Sequence, residues 1–142
     1  MLTPSSEKVA LIVEDEPSIR KYIRGVLEKR GFSILEAKNG VDALYVMIQQ
    51  KADRSIDVLI SDVNMPEMGG ISLVRQVKKL LPRLPIVLIS GYTDSAEMDP
   101  VSKSYECCTF LQKPFLPSAL IDTVQKMLGL KQDSTTVLKT TW

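Results

Sequence analysis

Asp57-Val58-Leu59-Ile60-Ser61-Asp62-Val63-Asn64-Met65-Pro66 joins an aliphatic run to a carboxylate and then to turn residues. Val58 to Ile60 is short and aliphatic, and Pro66 and Gly69-Gly70 bound it downstream. Such a run reads as a buried strand of a parallel sheet, which is covered on both faces. Asp62 then falls at the strand's carboxyl end, where open α/β sheets hold their ligands. An ionised carboxylate is costly to desolvate there without a partner. The question for the rest of the chain is what gathers around Asp62.

Upstream, Val9 to Val13 is a second buried run, closed by Glu14-Asp15-Glu16. Pro17 suits a first helical turn, and Ile19, Tyr22, Ile23, Val26 and Leu27 share one helical face. Gly31 stands where such a helix stops. Ser33 to Ala37 reads as a shorter strand, Asn39-Gly40 as a turn, and Val41 to about Gln50 as a helix with Ala43, Leu44, Met47 and Ile48 inward. Downstream, after Gly69-Gly70, a helix runs to about Leu81 with Leu73, Val74, Val77 and Leu80 inward and Pro82 as its stop. Ile86 to Ile89 is a fourth strand ending at Ser90-Gly91, and Cys108 to Gln112 a fifth ending at Lys113-Pro114-Phe115. The last helix, about Pro117 to Leu128, buries Leu120, Ile121, Val124 and Leu128. Strands alternating with helices predict a doubly wound parallel α/β sheet with right-handed crossovers. Residues 1–7 read as a disordered lead-in, 8–129 as the one domain, and 130–142 as a flexible tail or the start of a linker.

With 142 residues, 44% of them hydrophobic, the chain has enough length for a single core. A net charge of +1 with no dominant basic cluster argues against direct nucleic-acid binding. No apolar run reaches the length of a membrane span, and no signal segment opens the chain, so a cytoplasmic protein without membrane insertion is expected. The adjacent Cys107 and Cys108 fit a reducing compartment and small buried side chains better than a redox pair. The chain has no histidine, which removes histidine-based metal sites, catalytic triads and phosphohistidine chemistry of its own.

In a parallel sheet the carboxyl ends share one edge, which brings Glu14, Asp15, Asp62, Ser90 and Lys113 together. Three neighbouring carboxylates repel, and a hard divalent cation is their natural neutraliser. Mg²⁺ fits best, since it needs few protein oxygens, keeps several waters and leaves room for a phosphoryl oxygen. Ser90 offers a hydroxyl donor and Lys113 a point charge for an oxyanion. Taken singly, each has a plainer reading: a solvated acidic turn for Glu14 to Glu16, a strand-end hydroxyl, a surface lysine, a turn aspartate. Their placement at successive strand ends favours a phosphoryl-transfer site with Asp62 as acceptor.

Leu11-Ile12-Val13-Glu14-Asp15-Glu16, Ile60 through Gly70, Ser90-Gly91-Tyr92 and Phe110-Leu111-Gln112-Lys113-Pro114-Phe115 resemble the signature segments of response-regulator receiver domains. The resemblance covers about Lys8 to Leu128. It implies the flavodoxin-like strand order 2-1-3-4-5 and a phosphoryl group passed to Asp62 from a phosphohistidine on a sensor histidine kinase or a histidine phosphotransfer domain. It further implies Mg²⁺ on Asp15, Asp62 and the Asn64 carbonyl with help from Glu14, a switch pair Ser90 and Phe110, and Lys113 on the phosphoryl group. Lys113-Pro114 is expected to be cis. The output target is not named by the sequence, while the wording around Lys113 is similar to receivers at the carboxyl end of hybrid sensor kinases.

Three departures from that family stand out: Glu14 for the commoner Asp, Cys107-Cys108 for a Gly-Ala-like pair, and a weakly patterned Tyr92 to Glu106. Asp94 and Glu97 have capping-box spacing, yet Pro100 would then fall in the second turn. A start at Asp99 puts Pro100 at the favoured first position. The sequence thus predicts a short or displaced helix here, with residues 92–99 mobile. Two rival readings are a Mg²⁺-dependent aspartyl phosphohydrolase and a receiver-like module that never takes phosphate. The first usually wants a second acid two residues after the nucleophile, where this chain has Asn64; the second predicts loss of an acid or of the lysine, and none is lost.

Overall fold

The computed structural model describes residues 8–50, 55–91 and 107–140. Five aliphatic runs form the strands β1 (Val9–Val13), β2 (Ser33–Ala37), β3 (Val58–Asp62), β4 (Ile86–Ser90) and β5 (Cys108–Gln112). They pair in parallel in the order β2-β1-β3-β4-β5. The three central strands are buried along their whole length, which is why they read as unbroken apolar runs rather than as alternating ones.

Alternation is nonetheless present, hidden in which face each residue serves. Leu11, Val13, Leu59, Ile86 and Leu88 pack on one side with Ala43, Leu73, Val74 and Val77. Ala10, Ile12, Val58, Ile60, Val87 and Ile89 pack on the other with Ile23, Leu27, Leu120, Val124 and Met127. Successive strand residues point to opposite faces, so each run feeds two cores. The helices α2 (Gly40–Gln50) and α3 (Gly70–Leu80) cover the first face, and α1 (Pro17–Glu28) and α4 (Pro117–Thr140) the second. Pro17 stands in the first turn of α1, and Gly31 takes the left-handed φ of +89° in the turn that follows it.

Three expectations are corrected. Ile48 is 70% exposed rather than inward. It lies about 140° round the helix from fully buried Ala43, and α2 carries apolar residues on nearly every side, so periodicity alone does not select its inner face. Leu80 is 67% exposed. The inward place in that last turn is taken by Lys78, whose Nζ donates to the carbonyls of Pro82 and Leu84 at 3.0 and 2.8 Å. The last helix continues to Thr140 instead of loosening after Leu128. Gly129 does not adopt a left-handed φ, so it does not terminate the helix, and no proline follows it. The expected helix within residues 92–106 lies outside the described residues.

Candidate functional site

The carboxyl edge is built from strand ends, each delivering one polar side chain. β1 ends at Val13, and the backbone N–H of Glu14 still joins the sheet by donating to the Ala37 carbonyl at 3.1 Å. β3 ends at Asp62, buried at 5% exposure, with the Val63 N–H donating to the Ile89 carbonyl at 3.0 Å. β4 ends at Ser90, also buried, whose carbonyl accepts the Lys113 N–H at 2.7 Å. One oxygen from each of Glu14, Asp15 and Asp62 lies within 4.8 Å of the others.

Lys113 Nζ reaches Asp62 Oδ2 at 3.2 Å. The Lys113-Pro114 peptide is cis, as the family resemblance implies. The Asn64 N–H points toward Asp62 Oδ1 at 3.4 Å, a long contact. Phe110 is half-buried and sits opposite Leu88 in the β4–β5 register. Leu88 is two residues before Ser90, so Phe110 and Ser90 lie on the same face of the sheet.

Glu14 is the least satisfied member. It is 1% exposed, and its Oε2 accepts the Glu16 N–H at 3.1 Å. Its Oε1 has no partner among the described residues. Burial, reinforced by the charge of Asp62, pushes its carboxyl up from 4.5 to about 7. A buried, unpaired carboxylate oxygen facing two more acids suits a hard cation, so the donor set fits Mg²⁺.

Behind Asp62 the wall is largely backbone. A Cβ on Gly70 would lie 2.4 Å from the Asp62 carbonyl oxygen, and one on Gly40 would lie 2.6 Å from the Met68 side chain. The Gly70 N–H donates to the Val63 carbonyl and the Gly40 N–H to the Met68 carbonyl, both at 2.9 Å. Between them Glu67 holds a left-handed φ of +68°.

Five parallel strands run in this order, with three acids and a lysine at their carboxyl edge. Residues 10–125 match the response regulator receiver domain. The chain belongs to that family. A receiver is the phosphoacceptor domain of a two-component response regulator. The chain is 37% identical to the sensor kinase CckA of Brucella abortus over 131 residues, which cover 91% of this chain and 13% of that protein. It is 33% identical to the response regulator receiver protein CpdR of the same organism, covering 85% of this chain and 97% of CpdR. Among solved structures, a receiver domain protein from Clostridium thermocellum superposes with a TM-score of 0.81 at 26% identity, covering 88% of this chain and 97% of its own.

The sequence-derived residues all come to this edge except Phe110, which lies below it within β5. Sequence reasoning missed two participants, Arg20 and Glu36, and read Gly70 only as a turn residue closing a signature segment. Arg20 Nη1 donates to the Glu14 carbonyl at 2.7 Å, and its Nε pairs with Glu36 at 2.9 Å. A signal for Glu36 was available, since it is the one charge inside an otherwise strand-like Ser33 to Ala37. Among the described residues no helix is long and apolar enough to cross a membrane.

Proposed function

We propose that Asp62 accepts the phosphoryl group and that Lys113, Ser90 and the acids Glu14 and Asp15 serve that transfer. The observation that carries this reading is the Asp62–Lys113 pair at 3.2 Å beside the orphaned Glu14 oxygen. An Asp62 carboxylate oxygen attacks phosphorus in line with the departing imidazole of a phosphohistidine. The P–N bond breaks as the P–O bond forms, and the imidazole nitrogen keeps the electron pair. Lys113 leaves Asp62 for the new phosphoryl oxygens, where a point charge is most useful. The Ser90 hydroxyl donates to one of those oxygens and, together with Phe110, forms the switch. Glu14, Asp15, Asp62 and the Asn64 carbonyl would hold Mg²⁺. When bound, the ion neutralises the crowded acids and the charge of the incoming phosphoryl group.

The donor in this reading is a sensor histidine kinase or a histidine phosphotransfer domain on the cytoplasmic side, since the chain has no histidine to serve as its own. The resemblance to one segment of a sensor kinase and to nearly all of CpdR leaves the place of the domain, within a larger kinase or alone, to its full gene. Intact-mass spectrometry after incubation with acetyl phosphate and Mg²⁺ tests the acceptor. One phosphoryl group on the wild type and none on Asp62→Asn is the expected outcome. Equal incorporation in both removes the assignment.

A further inference from the structure

The two peptides that flank Glu14 are both tied to the same edge strand. The Glu14 N–H, in the peptide before it, donates to Ala37, the last residue of β2. The Glu14 carbonyl, in the peptide shared with Asp15, is taken by Arg20 Nη1 at 2.7 Å, and Arg20 Nε is fixed at 2.9 Å by Glu36, the neighbour of Ala37. Arg24, one helical turn on, also pairs with Glu36 and with Glu28. Arg20 is well shielded, its side chain 18% exposed against 30% for Glu36.

This geometry has a chemical purpose beyond joining α1 to β2. Two consecutive acids facing Asp62 repel it, and rotation of the Glu14–Asp15 peptide would relieve that repulsion by swinging the acids apart. A charge-assisted bond to the carbonyl resists that rotation. Only a guanidinium presents two donors in a fixed fork, one for the carbonyl and one for Glu36; an ammonium is a single point.

We propose that Arg20, locked by Glu36, is a positioning residue that presets Glu14 and Asp15 for the divalent cation. Partners of this kind, one step removed from the ion, typically change metal affinity by about 10- to 100-fold when removed. The inference rests on the proposed metal role of the acids, and the experiment separates the two.

Wild type, Arg20→Lys, Arg20→Met and Glu36→Gln are titrated with Mg²⁺, following the metal-induced rise in Tm and, separately, the rate of phosphorylation by acetyl phosphate. In Arg20→Lys and Arg20→Met the half-saturating Mg²⁺ concentration rises about tenfold, while the plateau rate falls by a smaller factor. Glu36→Gln, which keeps an acceptor for Arg20, gives an intermediate shift. A tie that merely joins α1 to β2 would lower Tm equally with and without Mg²⁺ and leave half-saturation unchanged; that result overturns the proposal. Should Arg20→Met not fold, Arg20→Lys decides by the same criterion. A wild type that shows no Mg²⁺-dependent rise in Tm also overturns it. A wild type that binds Mg²⁺ but takes no phosphoryl group on Asp62 overturns the acceptor reading and leaves Arg20 standing.

Discussion

The two edges of the sheet each bury a charged side chain and each hold a non-glycine residue at left-handed φ, yet they treat these in opposite ways. At the amino edge Lys78 is 6% exposed and donates to two carbonyls. Nearby Cys107 takes a φ of +58°, and burial pushes the Cys108 thiol up to about 11, which leaves it inert at neutral pH. At the carboxyl edge Glu14 is buried as deeply, with one oxygen unpartnered among the described residues, and Glu67 takes a φ of +68°. Backbone strain is therefore no guide to which edge reacts, because both have it. The unsatisfied charge is the guide. A buried charge given its full set of partners is architecture, and one left short of them is waiting for a ligand.

The strongest way to break this comparison is to neutralise Glu14. In chelator, the folded protein holds the Glu14 proton more tightly than the unfolded chain, because the carboxyl is raised from 4.5 to about 7. Stability from this group is therefore full below pH 4.5 and is lost as pH rises through 7. Glu14→Gln should match the wild type near pH 4 and exceed it above pH 7 by up to about 3 kcal/mol. Chemical denaturation across that range measures the gap; a gap that is flat with pH would remove Glu14 as the frustrated group. Next in size is the opposite edge. Lys78→Met leaves carbonyls without their donor and should cost about 2 kcal/mol at any pH between 5 and 8. Its Mg²⁺-induced rise in Tm should match that of the wild type. A lost metal response would mean that the two edges are coupled rather than separate. The smallest effect sharpens the comparison at Cys107. Cys107→Gly relieves a left-handed φ and should add up to about 1 kcal/mol, read as a rise in Tm, without touching phosphorylation.

Much of the frame was legible because buried parallel strands announce themselves as unbroken aliphatic runs, and their carboxyl ends list the polar residues that will meet. Glu14, Asp15, Asp62, Ser90 and Lys113 follow from that topology without further information. What was not legible depends on facing and reach. α2 is apolar nearly all round, so the sequence does not say that Ile48 looks outward. Lys78 reads as a surface lysine until its Nζ is seen to donate to the carbonyls of Pro82 and Leu84. Arg20 is six residues from Glu14 in sequence, but its hold on that carbonyl depends on where the helix axis lies relative to β2. The run of 24 residues in α4 likewise depends on what Gly129 does with its backbone, which its identity alone does not decide.

The close approach of Gly70 to the Asp62 carbonyl, and of Gly40 to Met68, has a consequence for how this domain can be tuned. At Gly70 the wall is main chain, which has no rotamers, so a Cβ there meets the Asp62 carbonyl oxygen at 2.4 Å; at Gly40 the nearest atom, at 2.6 Å, belongs to the Met68 side chain. Changes that leave this wall intact must then fall on the open side of Asp62, toward Asn64, whose N–H points at Asp62 Oδ1. Asp62 sits between a margin that heredity can edit and one that it cannot.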